Sequence, residues 1–223
     1  MRENQSGGFN GLKIIPAFFL VIAAFFVISC SQTVPDILLA DYSVIFDYPD
    51  EESLPSARLG VFVVSESDVR RYSAITLVSK SSGLVWETSD ILRIQESDMQ
   101  WAGNVSFVMP EAEIIPSGLY EVTFMNADEK SDSVEFNVQY SAQYYKTLCG
   151  DVPALMRSQG GSSQIAIYDR GGKMLYFGER YPELRTVRGI LNDYTDAGFF
   201  QDVWCSADNS VMCIMPEKPV SLE

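Results

Sequence analysis

The chain has 223 residues, 47% of them apolar and 12% aromatic, which is enough to bury a core in one large domain or two small ones. Thirty acidic residues against sixteen basic ones leave a net charge of −14, with no long single-sign run, and this balance argues against DNA, RNA or anionic headgroups as partners. There is no histidine, so Ser/His/Asp and Cys/His catalysis are excluded; with none of Cys30, Cys149, Cys205 and Cys213 in a CxxC pair, neither a structural metal nor a cofactor is expected.

The first element is apolar. Ile14 to Ile28 is a run of fifteen residues preceded by Arg2 and Lys13. A membrane-spanning helix needs roughly twenty apolar residues, whereas the h-region of a secretion signal takes roughly 7 to 15 after a positive start. A conventional signal ends in small residues of A-x-A kind. Here Val27-Ile28-Ser29-Cys30 resembles the lipobox of bacterial lipoproteins, with Ile28 an acceptable rather than favoured occupant. The resemblance covers the first thirty residues. It implies that residues 1–29 are a cleaved signal peptide and that Cys30 receives a diacylglyceryl group on its sulfur, with its new amino group usually acylated by a palmitate-type chain. Two or three chains make attachment effectively permanent, because each buried CH₂ is worth about 0.8 kcal/mol. Ser31 stands where an aspartate would favour retention at the inner membrane, so sorting to the outer membrane is expected. The mature chain would carry 14 basic and 29 acidic residues, a net −15. The lipid, not charge, then has to hold it at the membrane.

Residues 30–40 read as a tether. Over 41–140, short apolar patterns alternate with turn residues: Tyr42 to Tyr48, Ala57 to Val64, Ser73 to Ser79, Gly83 to Glu87, Ile91 to Ile94, Val105 to Met109, Leu119 to Asn126 and Ser133 to Tyr140. Eight strands at this spacing predict an antiparallel sandwich or barrel. "PSGLYEVTF", Pro116 to Phe124, resembles the corner before the penultimate strand of immunoglobulin-like sandwiches, with Tyr120 in the place of the tyrosine whose hydroxyl bonds back to the backbone. Val122 stands where that family carries a strand cysteine, so the resemblance implies a sandwich without the inter-sheet disulfide.

Residues 141–160 read as a junction with a short helix from Val152 to Ser158, stopped by Gly160 and Gly161. Over 161–223 the order is β-β-α-β-β. Two strands flank Gly171-Gly172; a helix opens at Pro182 with Leu184, Val187, Leu191 and Tyr194 on one face and Gly198 as its stop; a final hairpin holds Cys205 and Cys213. This predicts either a small α+β domain or an extension of the sandwich.

The chemical motifs are weak. Asp169-Arg170-Gly171-Gly172-Lys173 is too short for a phosphate-binding loop and reads as a hairpin turn. Asn192 to Gly198 with Asp202 lacks the ligand spacing of a calcium loop and reads as a helix end. Cys149 has Lys146 as its nearest cation in sequence and reads as a structural thiol. Carboxylates such as Glu111 with Glu113, or Asp50 with Glu51 and Glu52, form no hydrolase motif. Trp86, Trp101 and Trp204 are core residues or stacking surfaces; Trp101, in "SDMQWAGN", falls in a polar stretch and is the expected ligand contact.

In the final hairpin, a three-residue loop Asp208-Asn209-Ser210 would set Cys205 directly opposite Cys213. That separation suits a disulfide, and export would allow it to form. A two-residue loop would instead set Cys205 opposite Met212 and put the sulfurs on opposite faces. The disulfide is the expectation.

Together these features describe a lipid-anchored protein of a bacterial cell envelope, periplasmic or surface-exposed. Its expected role is binding or structural, with envelope or host proteins or glycans as partners and no catalytic residue assigned. The alternative is an extracytoplasmic hydrolase using paired carboxylates.

Overall fold

The structure, a computed structural model, describes residues 34–96, 99–109 and 114–221. The segment 1–29 expected to be a signal peptide, Cys30, Glu111 and Glu113 lie outside the described residues. From Val34 onward the chain clusters as one unit.

The first eight strands are β1 (Ile37–Asp47), β2 (Ser56–Ser65), β3 (Tyr72–Ser79), β4 (Val85–Thr88), β5 (Leu92–Glu96), β6 (Met99–Val108), β7 (Gly118–Asn126) and β8 (Ser131–Val138). They divide into two antiparallel sets, β1-β2-β6-β5 and β4-β3-β7-β8. Alternation explains the packing between them. Val44 and Phe46 of β1 and Leu59, Val61 and Val63 of β2 point to one face, where they meet Ile75, Leu77, Tyr120, Val122 and Phe124 of the second set. Fully burying each such aliphatic or aromatic side chain is worth about 1.5–3 kcal/mol. At one edge the sets are tied by Ile37 N donating to Asp132 Oδ2 at 2.8 Å and by Tyr42 stacked on Phe136 at 5.7 Å. Arg93 ties the connecting segment on the β5 side: its guanidinium donates to the carbonyls of Val69, Ile91 and Tyr72.

The C-terminal strands are β9 (Ser162–Asp169), β10 (Met174–Glu179), β11 (Ala197–Cys205), β12 (Val211–Ile214) and β13 (Lys218–Pro219). They extend the β1 sheet. β12 runs parallel to β1, with Val44 opposite Val211, and β11, β9 and β10 follow, making the larger sheet mixed. Of the two expectations for 161–223, hydrogen bonding thus follows the extension. Val211, Cys213 and Met215, together with Tyr144, Val152 and Met156 from the junction, enter the same core as the first eight strands.

Helix α1 spans Val152–Ser158. The longer helix expected from Pro182 is split: a 3-10 turn covers Pro182–Arg185, and α2 covers Val187–Asp193. Thr186 causes the break, because its extended backbone lets its hydroxyl cap α2 by accepting from Gly189 N at 3.1 Å. Gly198 does not end this helix but lies in β11. Leu184 and Ile190 fill a second, smaller core against Ile165 and Ile167 of β9.

Candidate functional site

The larger sheet has one face on the core; its opposite face carries the buried cluster of Ala166, Val203 and Cys205 over β9 and β11, and a cleft beside β1, β2 and β6. Since Val63 and Ala102 point to the core, their neighbours Val64 and Trp101 point outward. Pairing aligns Leu39, Val64, Trp101 and Ile94 as one outward row across β1, β2, β6 and β5. Leu39 and Ile94 at its ends are 45% and 50% exposed.

Beside this row lies a cleft of about 310 Å³. Ile45, Phe62, Ile94, Trp101, Val105 and Met212 form its apolar walls, and Asp41, Ser43, Asp208 and Asn209 form a polar rim. Its floor is open because residue 60 is glycine: a Cβ there would stand 3.4 Å from Ile45 Cδ1 and 3.6 Å from Val105 Cγ1, ordinary contacts that leave room for a methyl. The rim loop is fixed by Ser43 Oγ, which donates to Asn209 O at 2.6 Å.

Trp101 was expected in a polar loop; instead it sits in β6, half-buried. The polar neighbours that suggested a loop are used to bind backbone. Gln100 Oε1 accepts from Val69 N at 3.4 Å, and Asn104 Nδ2 donates to Asp90 O at 2.8 Å. Trp101 Nε1 is closed from solvent and has no hydrogen-bond partner among the described residues. Trp86 Nε1, by contrast, is satisfied by Val108 O at 2.7 Å, and the Trp204 ring packs against the core.

Cys205 and Cys213 are not bonded, and both are buried. The register is the reason: Cys205 pairs with Met212, and Trp204 with Cys213. The loop has four residues, Ala207 to Ser210, because Ser206 N donates to Val211 O while Asp208 Oδ1 accepts from Ser206 Oγ, Ser210 N and Ser210 Oγ. Asn209 supplies the left-handed residue at φ 58°. An even loop sends the two sulfurs to opposite faces, Cys213 into the main core and Cys205 into a cluster with Ala166 and Val203. Burial pushes the Cys205 thiol up to about 11 and the Cys213 thiol up to about 12. Cys149 is 4% exposed and burial raises its thiol also, which suits packing rather than nucleophilic attack.

The Asp169–Lys173 segment is a hairpin turn: Asp169 Oδ1 accepts from Gly171 N and Lys173 N, and Gly172 takes φ 83°. Asp193 ends α2 and accepts from the Tyr181 hydroxyl at 3.1 Å. Of the two carboxylates at the cleft rim, Asp208 is held below the usual carboxylate range by hydrogen bonds from Ser206 and Ser210. That stabilises an acceptor, not a proton donor.

A second cleft, of about 410 Å³, lies where β9, β11 and β13 meet α1 just past the end of β10, with Arg180, Asp202, Trp204, Lys218 and Cys149 among its walls. Sequence reasoning did not single out Arg180 or Lys218. They are far apart in the chain and belong to no motif, so no local signal marked them.

The fold defines a mainly β protein of two sheets, the larger one mixed. Comparison with known proteins finds no family model that matches this chain and no curated protein that resembles it in sequence.

Proposed function

We propose that this chain is a lipid-anchored extracytoplasmic protein of a bacterial envelope, attached through Cys30 and most compatible with the outer membrane, whose body binds its partner through the cleft around Trp101. The observation that carries the binding reading is the cleft itself: a concave, mostly apolar site with Phe62 and the half-buried Trp101 in its wall and a rim of carboxylate and hydroxyl groups. Aromatic walls with such a rim suit a sugar ring or an exposed side chain of an envelope or host protein. Anchoring is supported by the charge, length and lipobox-like ending of the first thirty residues.

An immunoglobulin-like core for residues 37–138 is supported by strand order. With β1 to β8 taken as A, B, C, C′, D, E, F and G, the two sets read A-B-E-D and C′-C-F-G. The Tyr120 hydroxyl donating to Pro116 O at 2.7 Å is the corner bond of that architecture. The hydrolase alternative loses ground at this site, where Asp208 is stabilised in its ionised form.

Two measurements test the proposal. Intact mass of protein from a bacterial host should show acyl chains on the wild type and none on Cys30→Ala. Binding to purified oligosaccharides and envelope proteins should weaken about tenfold or more on Trp101→Ala, the loss typical of a central aromatic contact. Gly60→Leu, which fills the cleft floor, should act likewise. Unaltered binding by both cleft variants would remove this site from the proposal, and an unacylated wild type would remove the anchor.

A further inference from the structure

The second cleft is built around one carboxylate shared by two cations. Asp202 Oδ1 lies 2.6 Å from Arg180 Nη2, and its Oδ2 lies 2.9 Å from Lys218 Nζ. Both cations also lie over the Phe200 ring, at 5.3 and 6.0 Å from its centroid. The three charged side chains are partly withdrawn from water, with Arg180 27% and Asp202 21% exposed. Arg180 Nε is closed from solvent with no hydrogen-bond partner among the described residues. Among the lining residues Arg180 and Lys218 balance Asp202 and Glu51, so in a chain of net charge −14 the local positive excess at this corner comes from Arg157 beside Trp204.

The wall beside the cations is apolar, made by Trp204 and Met215. Arg157 lies 5.0 Å from the centre of the Trp204 ring and adds a third cation to the neighbourhood. Glu51 stands at the cleft as well, but forms no ion pair with Arg180 or Lys218 among the described residues.

We infer that this cleft binds an oxyanion carried on an apolar body, with the anionic end between Arg180 and Lys218 and the body along Trp204 and Met215. A guanidinium and an ammonium flanking one pocket match the two oxygens of a carboxylate or phosphate through charge-assisted hydrogen bonds. Glu51 sets the order between these two sources of the same chemistry. A monoanionic carboxylate balances the local excess, whereas a phosphate dianion adds a second negative charge facing Glu51. The site is separate from the Trp101 cleft and stands whether or not Cys30 is acylated.

The rival account is a purely structural triad that fastens β10, β11 and β13. The two differ in response to ligand. In the purified full chain, the assigned indole N–H signal of Trp204 is followed by NMR during titration with sodium benzoate, inorganic phosphate and sodium chloride at matched ionic strength. The expected result is a saturable shift with benzoate, weaker binding of phosphate and no saturable shift with chloride. Benzoate affinity should fall at least tenfold in Arg180→Gln and severalfold in Lys218→Gln. Lys218 is 48% exposed, so its variant reports on the site even if Arg180→Gln fails to fold. Benzoate binding unchanged in Lys218→Gln, or a chloride response equal to that of benzoate, would overturn the site; phosphate binding tighter than benzoate would overturn the carboxylate preference.

Discussion

Tyr120 shows how one side chain sets a corner. Its ring is fully buried, stacked between Trp86 at 6.3 Å and Phe136 at 5.8 Å, and its hydroxyl returns to Pro116 O at 2.7 Å. Removing only the hydroxyl keeps the stacking and leaves the carbonyl without its partner, so Tyr120→Phe should cost about 1–2 kcal/mol in urea unfolding with an unchanged slope. The cysteines set a pH limit. The Cys205 and Cys213 thiols are raised by burial to about 11 and about 12, while unfolded thiols titrate near 8.5. Between those values the unfolded chain has lost protons that the folded chain keeps, so stability present below about pH 8.5 declines as pH rises toward 11–12. The melting temperature should fall across this window, and the fall should be shallower in Cys213→Ala, measured against that variant's own value at pH 7. Under native conditions at pH 7, a thiol reagent should leave both cysteines unlabelled until the protein unfolds.

At the level of elements, the β2–β6 ladder carries the outer face and depends on Gly103. This residue pairs with Phe62, and a Cβ placed on it would stand 2.2 Å from Val61 O and 2.6 Å from the Phe62 ring. Backbone cannot give way as a flexible side chain can. Gly103→Ala should therefore destabilise by about 3 kcal/mol or more and disturb the Trp101 cleft, whereas Gly60→Ala, which meets only ordinary contacts, should fold normally. Circular dichroism melts of the two variants distinguish these outcomes; equal melting temperatures would contradict the ladder geometry. The same comparison shows why the cleft is where it is. Gly60 leaves space on this face, whereas the Phe62 ring closes over Gly103, and Phe62, Trp101 and Val105 stand around the gap at Gly60.

For the whole molecule, the decisive contact is the parallel pair of β1 with β12, which joins residues more than 160 positions apart through Ser43 and Asn209. Residues 41–140 do not hold their whole core by themselves, because Tyr144, Val152, Met156, Val211 and Cys213 complete it. A fragment ending at residue 140 would expose the β1 edge along with those uncovered apolar contacts. It should aggregate or unfold without a cooperative transition, while a chain covering 34–223 should show one transition by both fluorescence and circular dichroism. Two separated transitions in the longer chain would show that the extension is thermodynamically independent.

Local pattern was sufficient for much of this architecture. The alternation in β7 and β8, the Val152–Ser158 helix, the Gly171-Gly172 turn and the tyrosine at the Pro116 corner are all legible in the sequence, because period, turn chemistry and capping act over a few neighbouring residues. The absence of histidine and the apolar run from Ile14 to Ile28 are likewise read from the sequence without any fold. Only the folded structure decided the cysteine register, since one added loop residue reverses which face a strand presents, and the pairing of Cys205 with Met212 fixes an even loop. It also decided that Trp101 belongs to a strand, because the polar residues around it bond to backbone that is distant in sequence. The meeting of Arg180 and Lys218 on Asp202 was decided there too: one residue just past β10, one on β11 and one on β13 share no sequence period, and only the sheet brings their charges within 3 Å.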